Sequence, residues 1–210
     1  DPMAQPSHGT SPWNLPNALT VLRILLVPVF GSMLLAQNGA DAGQRFAALA
    51  VFVVAMITDR IDGDIARSRG LVTDVGKILD PIADKALLGM AFVGLSLIGL
   101  VPWWVTLLVL AREVGVTVVR FVVIRHGVMP AGRGGKIKTF AQAVALSLLI
   151  LPAWVLPTPQ VWQWTAYSVL GIAVALTVVT GLDYLVQAHR LRRTSPRAMA
   201  KRAAREAKKR

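Results

Sequence analysis

Six aspartates lie within 26 residues between two apolar runs, and four of them have the spacing of a shared site: Asp59, Asp62, Asp80 and Asp84. Asp64 is expected to point to another face and Asp74 to cap a helix, so both are excluded. Asp59 and Asp62 are three residues apart, and Asp80 and Asp84 are four apart, so each pair shares one face of a helix. Carboxylates inside a membrane-spanning helix cost roughly 2.5–3.5 kcal/mol each at the bilayer centre, and they usually mark functional sites. Because oxygen-only ligands favour Mg²⁺, Mn²⁺ or Ca²⁺, the four aspartates predict a divalent-metal site.

The two helices that carry the aspartates are predicted to be antiparallel and joined by a short turn at residues 70–73. Asp59 and Asp84 are then equally distant from the turn, and Asp62 and Asp80 match each other one helical turn nearer to it. Four carboxylates that face one another repel unless they are protonated or neutralised by cations. The predicted geometry therefore also calls for bound cations.

Small residues flank the aspartates. Gly63, Ala66 and Gly76 remove side-chain bulk where a ligand could approach the backbone. Arg67 follows Asp62 by five residues, close enough to contact a phosphate held by the cations. The alternative interpretation is a helix pair packed through Gly and Ala, with surface carboxylates at its tips. That alternative does not account for the two aspartates farther from the turn.

The composition places these helices in a membrane. Of the 210 residues, 54% are hydrophobic and 16% are charged, whereas soluble domains average about 45–50% apolar and about 25% charged residues. A membrane-spanning helix needs about 20 apolar residues, and six stretches are long enough to span or nearly span a bilayer. We therefore expect one all-α integral membrane domain with six transmembrane helices, at 17–37, 43–69, 74–100, 102–126, 138–156 and 161–189.

Lysine and arginine residues are concentrated on one side of these predicted helices. The connections at 98–104 and 152–163 contain none, and the connection at 37–45 contains only Arg45. Because cytoplasmic loops are enriched in Lys and Arg, the aspartates and both termini are predicted to face the cytoplasm. We expect a multi-pass protein of the cell (inner) membrane.

Residues 1–13 and 190–210 differ from the apolar region 14–189 between them. The first segment is expected to be disordered, with Asp1-Pro2 as a cloning remnant. The second carries ten basic residues and one acid, which predicts a basic cytoplasmic tail in contact with anionic membrane lipids. Basic tails also bind nucleic acid, but we expect no nucleic acid as a partner of this membrane protein. The chain has no cysteine, which excludes disulfides and thiolate metal ligands.

The aspartate region matches a known signature. The pattern D-x2-D-G-x2-A-R-x8-G-x3-D-x3-D, from Asp59 to Asp84, resembles that of the CDP-alcohol phosphatidyltransferases, with every fixed position filled. The resemblance implies a six-helix bundle, a homodimer, a cavity open to the cytoplasm and dependence on Mg²⁺ or Mn²⁺. Further stretches resemble the phosphatidylglycerolphosphate synthase branch of that family, at 14–30, 79–88, 111–120 and 134–142.

The resemblance also implies a reaction and residue roles. The phosphatidyl group of CDP-diacylglycerol would pass to sn-glycerol 3-phosphate, giving phosphatidylglycerol phosphate and CMP. Asp84 would take the proton from the attacking hydroxyl. The implied metal ligands are Asp59, Asp62, Asp80 and Asp84, and the implied CDP-diacylglycerol-binding residues are Asp59, Asp62, Gly63, Ala66, Arg67, Gly76 and Asp80.

The phosphate of the second substrate requires cations, for which the candidates are Arg112, Arg120, Lys136 and Lys138. Arg112 and Arg120 are eight residues apart, roughly two turns along one helix face. Glu113 lies about 100° around the helix from Arg112, so we expect it to be a poor partner for that arginine. Glu113 could instead meet another helix. The alternatives are a structural ion pair for the arginine and plain cytoplasmic anchoring for the two lysines.

Two other functions compete with this hypothesis. Within the family, inositol phosphate or another alcohol could be the acceptor. In a different class, the aspartates could form the permeation site of a divalent-cation transporter. Against transport, the carboxylates cluster on the cytoplasmic side, and the far halves of the helices carry no matching polar groups.

Overall fold

The computed structural model describes residues 15–68, 74–123 and 133–194. These residues form six α-helices and short connections, and no strand occurs among them. The helices are α1 (Leu15–Leu35), α2 (Ala42–Ser68), α3 (Asp74–Leu97), α4 (Trp103–Val123), α5 (Arg133–Ile150) and α6 (Pro159–Thr194).

The six predicted helices are confirmed, and their ends differ most in the second half of the chain. Helix α5 begins at Arg133, five residues before the predicted start, and ends at Ile150, six residues before the predicted end, because Pro152 follows. Helix α6 continues to Thr194, five residues past the predicted end. Apolar content marks only the part of a helix that lies in lipid, so polar helix ends escape it. The predicted turn at 70–73 and the predicted disorder at 1–13 lie outside the described residues.

Three helices of the described part are long and apolar enough to cross a membrane. They cover Asn17–Gly39, Ala42–Ile61 and Pro159–Arg190. The all-helical membrane fold is therefore supported, whereas the predicted number of six spans is not reached by this criterion. Helix α6 has 36 residues, which at 1.5 Å per residue gives about 54 Å. Helix α6 is therefore longer than the ~30 Å hydrocarbon core of a bilayer. Its last residues, from 190 to 194, are the first residues of the predicted basic tail.

The connection between α1 and α2 turns sharply at three residues in the left-handed region. Gln37, Asn38 and Gly39 have φ values of 49°, 56° and 78°. A Cβ on Gly39 would lie 2.8 Å from the Ile98 side chain, so both its backbone angle and its surroundings require glycine. Asp41 then caps α2, because its Oδ1 accepts the backbone N–H of Gln44 at 2.9 Å.

The chain forms two compact units, of which the first contains residues 1–100 and 150–157. Here α1 packs against both α2 and α3. The inward face of α1 changes character along its length. Its C-terminal half buries Phe30 and Leu34, and the Phe30 ring lies 5.7 Å from that of Phe52. Its N-terminal half instead buries polar residues at a helical spacing, namely Asn17, Thr20 and Arg23.

The second unit contains residues 101–149 and 158–210. Helix α4 packs against α6. Between α5 and α6, the buried Gln142 Nε2 donates to Thr177 Oγ1 at 2.8 Å. The amide nitrogen thus has an acceptor on the neighbouring helix, an interhelical hydrogen bond of the kind that joins helices in membranes.

Candidate functional site

Two of the predicted site aspartates meet at one arginine of α1. Arg23 Nη1 donates to Asp59 Oδ1 at 2.6 Å and lies 3.5 Å from Asp84 Oδ1. Asp59 comes from α2 and Asp84 from α3. Both carboxylates therefore reach the same guanidinium nitrogen, which agrees with the prediction that these two residues lie at matching heights.

The burial of this cluster is graded. The Arg23 side chain is 3% exposed, Asp59 is 32% exposed and Asp84 is 46% exposed. An arginine does not lose its proton in a protein, and a buried charge needs a partner of opposite sign. The buried guanidinium is thus paired with the two carboxylates, and each carboxylate keeps part of its surface accessible to a ligand.

Sequence reasoning gave Arg23 no role, although a signal was present. Asn17, Thr20 and Arg23 are spaced by three residues along a helix that is otherwise apolar. Such a spacing places them on one helix face. A polar stripe on one half of a transmembrane helix indicates a polar neighbour at that level, and here that neighbour is the aspartate cluster.

The remaining residues of the signature lie on the same two helices. Their backbone is helical, but their side chains are outside the described part of the structure. Among the side chains that are described, no group of three or more His, Cys, Asp or Glu residues forms a metal cluster. The four-carboxylate site therefore stays a prediction. The residues concerned are Asp62, Gly63, Ala66 and Arg67 in α2, and Gly76 and Asp80 in α3.

The described pair fits a hard divalent cation. Asp59 from α2 and Asp84 from α3 offer only oxygen ligands, and both carboxylates lie against the same nitrogen of Arg23. Carboxylate oxygens suit Mg²⁺ and Mn²⁺, whereas softer metals prefer sulfur or imidazole ligands. The two carboxylates described are therefore compatible with the predicted metals.

The candidate cations for the acceptor phosphate meet at Glu113, contrary to expectation. Arg112 Nη1 donates to Glu113 Oε1 at 3.1 Å, and Arg112 Nη2 donates to Thr180 Oγ1 at 3.2 Å. Lys138 Nζ from α5 donates to the same Glu113 oxygen. The prediction that Glu113 is a poor partner for Arg112 is wrong. The Arg112 and Glu113 side chains are long enough to meet although their Cα atoms lie about 100° apart around the helix. Thr180 holds the Arg112 side chain in this position, and Lys138 holds that of Glu113.

This second cluster is largely buried. Lys138 is 5% exposed and Arg112 is 15% exposed, and both cations contact the carboxylate of Glu113. Lys136 is exposed, and the side chain of Arg120 is outside the described part. The structure thus brings together two of the four predicted cations, Arg112 and Lys138.

A cavity of about 300 Å³ lies between α4 and α6 beside Arg112. Its lining is apolar apart from Arg112 and Thr177. Gly181 contributes to it, and a Cβ there would lie 3.2 Å from Arg112 Cγ. The glycine therefore lets the arginine side chain lie flat against α6.

Comparison with known proteins gives one consistent result. Residues 13–190 match the profile of a family described as CDP-alcohol phosphatidyltransferase. A "Probable phosphatidylglycerophosphate synthase" of Mycobacterium tuberculosis is 51% identical over 177 residues, which cover 84% of this chain and 82% of that protein. Two proteins named "CDP-diacylglycerol--glycerol-3-phosphate 3-phosphatidyltransferase" are also similar. The Bacillus subtilis protein is 39% identical over 182 residues and the Escherichia coli protein is 35% identical over 180, each covering 82% of this chain and 93% of the relative.

Proposed function

The chain belongs to the CDP-alcohol phosphatidyltransferase family, and we propose that it transfers the phosphatidyl group of CDP-diacylglycerol to sn-glycerol 3-phosphate. The products are phosphatidylglycerol phosphate and CMP. The names of the relatives from B. subtilis and E. coli support this acceptor over inositol phosphate. The observation that carries the proposal is the meeting of Asp59 and Asp84 at one buried guanidinium, because it joins the two ends of the aspartate motif in space.

The reaction is a substitution at phosphorus. A hydroxyl oxygen of glycerol 3-phosphate forms a bond to the phosphorus that carries the diacylglycerol. The bond from that phosphorus to the bridging oxygen breaks, and CMP leaves with the electron pair. Asp84 accepts the proton of the hydroxyl. It suits this role because it is the more exposed of the two described aspartates and has the longer contact with Arg23, 3.5 Å against 2.6 Å for Asp59.

The aspartates would hold Mg²⁺ or Mn²⁺ through their oxygens, with Asp59, Asp62 and Asp80 as the main ligands and Asp84 beside them. When bound, such a cation offsets the charge of the diphosphate and of the departing CMP. The neighbouring residues of the motif would bind the nucleotide end of CDP-diacylglycerol, with small side chains that admit it and an arginine for its phosphates. These residues are Gly63, Ala66, Arg67 and Gly76.

Arg112 and Lys138 would bind the phosphate of glycerol 3-phosphate. Both are largely buried and meet at Glu113, and charge-assisted hydrogen bonds to a phosphate are strong contacts for such cations. Glu113 holds the two cations at a fixed separation in the absence of substrate. Arg120 and Lys136 remain candidates for the same phosphate, on α4 and α5 respectively.

We place all six helices across the cell (inner) membrane, with the site and both termini on the cytoplasmic side and the protein as a homodimer. Helices α3, α4 and α5 have 24, 21 and 18 residues. At 1.5 Å per residue these lengths are about 27–36 Å, close to the ~30 Å core of a bilayer. These three helices also carry aspartates, arginines and lysines that the proposal assigns to the site. Cysteine labelling from each side of sealed vesicles tests the orientation.

The direct test is turnover by the purified protein in detergent. CDP-diacylglycerol and Mg²⁺ are supplied with glycerol 3-phosphate, glycerol, inositol, inositol phosphate or serine in turn, and CMP release is measured. We expect release with glycerol 3-phosphate alone and its reversible loss on chelation. Equal turnover of another alcohol would move the chain to a different branch of the family. Failure to release CMP with any acceptor would favour a transporter of divalent cations.

A further inference from the structure

We propose that Arg23 is the counter-charge of the aspartate site. Its guanidinium holds Asp59 and Asp84 in position, and its contribution to stability is largest when divalent cations are scarce. The inference rests on the proposed metal site and goes beyond it, because it gives α1 a part in assembling that site. Arg23 is a positioning residue in this account. It acts through the two carboxylates and not on the substrates.

The contacts of Arg23 are with acids from two different helices. Its Nη1 lies 2.6 Å from Asp59 Oδ1 and 3.5 Å from Asp84 Oδ1. The guanidinium is buried and permanently charged, so it is stable there only if it is paired. The two carboxylates repel each other unless a positive charge lies near both. The arginine and the two aspartates are therefore mutually dependent.

The location of Arg23 extends this dependence to the helices. Helix α1 packs against both α2 and α3, and Arg23 is on its polar stripe with Asn17 and Thr20. Loss of the guanidinium removes the contact that Asp59 and Asp84 share, and their mutual repulsion then favours separation of the helices that carry them. A divalent cation bound by the same carboxylates supplies the missing charge. The effect of losing Arg23 should thus depend on the cation concentration.

A second buried arginine provides a matched control. Arg45 is 2% exposed, and its Nε and Nη1 donate to the backbone carbonyls of Ile150 at 2.8 Å and Gly39 at 3.1 Å. Its guanidinium also lies 5.3 Å from the centre of the Trp154 ring. These contacts tie helix ends together, and none of the three partners belongs to the aspartate motif. Loss of Arg45 should destabilise the fold to the same extent with and without Mg²⁺.

The experiment measures the unfolding temperature of the full chain in detergent, by tryptophan fluorescence, in excess EDTA and in saturating Mg²⁺. Wild type is compared with Arg23→Gln, Arg23→Lys and Arg45→Gln. We expect Arg23→Gln to lose at least about 4 °C more in EDTA than in Mg²⁺, a shift that is resolvable for a chain of this size. Arg23→Lys keeps the charge and should show less than half of that difference. Arg45→Gln should lose the same amount in both solutions.

Equal losses for Arg23→Gln in EDTA and in Mg²⁺ would overturn the inference and make Arg23 an ordinary structural ion pair. If the single variant does not yield folded protein, Arg23→Gln is combined with Asp59→Asn, which removes one carboxylate along with the guanidinium. The double variant should then be recovered folded, in contrast to the single variant. No gain from the second substitution would contradict the counter-charge role.

The same preparations separate this inference from the proposed function. CMP release by wild type in Mg²⁺ together with equal losses for Arg23→Gln in both solutions refutes the inference alone. If Mg²⁺ changes the unfolding temperature of no variant, wild type included, the metal site is refuted and the inference falls with it.

Discussion

Replacement of Arg112 by lysine tests the acceptor-phosphate proposal, because it keeps the charge and removes the geometry of the guanidinium. Arg112 uses two nitrogens, with Nη1 bonded to Glu113 at 3.1 Å and Nη2 bonded to Thr180 at 3.2 Å. Lysine presents a single nitrogen on a flexible stem and cannot reproduce this two-pronged arrangement. A lysine that keeps the contact with Glu113 therefore loses the hydrogen bond to Thr180 on α6. Without that bond, the N–H groups that would face the substrate phosphate no longer have a fixed direction.

The size of the effect follows from the contacts that are lost. A hydrogen bond to a charged group contributes about 1.5–3 kcal/mol. If Arg112→Lys loses one such bond to the substrate phosphate, the KM for glycerol 3-phosphate should rise about tenfold or more, since each tenfold change corresponds to ~1.4 kcal/mol. The KM for CDP-diacylglycerol should stay nearly unchanged, because no contact of Arg112 with that substrate is proposed.

The assay is steady-state CMP release, with each substrate varied in turn at a saturating concentration of the other. Arg190→Lys is the control, an exposed arginine ten residues past Thr180 on α6, and it should leave both KM values unchanged. A rise of similar size in both KM values for Arg112→Lys would assign Arg112 to general scaffolding. An unchanged KM for glycerol 3-phosphate would remove Arg112 from the phosphate pocket.

Three further substitutions give separate outcomes. Asp80→Asn should abolish turnover in a folded protein, and more than a few per cent of residual CMP release would contradict its metal role. Asp84→Asn should stop turnover but leave CDP-diacylglycerol binding in Mg²⁺ largely intact in a filter assay; complete loss of binding would make Asp84 a required metal ligand. Gly39→Ala should lower stability by about 1–3 kcal/mol, seen as a fall of several degrees in the unfolding temperature, because Gly39 has a φ of 78° and its new Cβ would meet Ile98. An unchanged unfolding temperature would show that the turn adapts.

The helices and the pairing of Asp59 with Asp84 were predictable from the sequence. Apolar runs of membrane-spanning length identify helices directly. The equal distances of the two aspartates from the predicted turn placed them at the same height, and both lie against Arg23. These inferences depend on spacing along the chain, which helical geometry converts into position.

The ion pairs around Glu113 were not predictable in the same way. The angle between Arg112 and Glu113 on the helix suggested that they face apart, yet they are bonded. Their contact depends on Lys138 and Thr180, which come from two other helices and lie 25 and 67 residues from Glu113 in the sequence. Helical geometry fixes the direction of the Cα–Cβ bond, but rotamers and tertiary neighbours decide where long side chains end.

The contacts of Arg23 were predictable only in part. Its polar stripe with Asn17 and Thr20 was visible in the sequence, but only the packing of α1 against both α2 and α3 explains it. A single buried cation on a transmembrane helix indicates a partner of opposite charge. The sequence does not say which helix provides that partner.

The most direct measurement of the central claim follows an oxygen atom. Glycerol 3-phosphate labelled with ¹⁸O in its attacking primary hydroxyl is incubated with CDP-diacylglycerol, Mg²⁺ and the purified protein, and both products are weighed by mass spectrometry. Transfer at the phosphatidyl phosphorus predicts phosphatidylglycerol phosphate that retains the label and CMP that has none, with neither product formed in EDTA or by Asp80→Asn. Two outcomes would contradict the proposed reaction: phosphatidic acid released together with a labelled cytidylyl ester of glycerol phosphate, or CMP and phosphatidic acid with no labelled product.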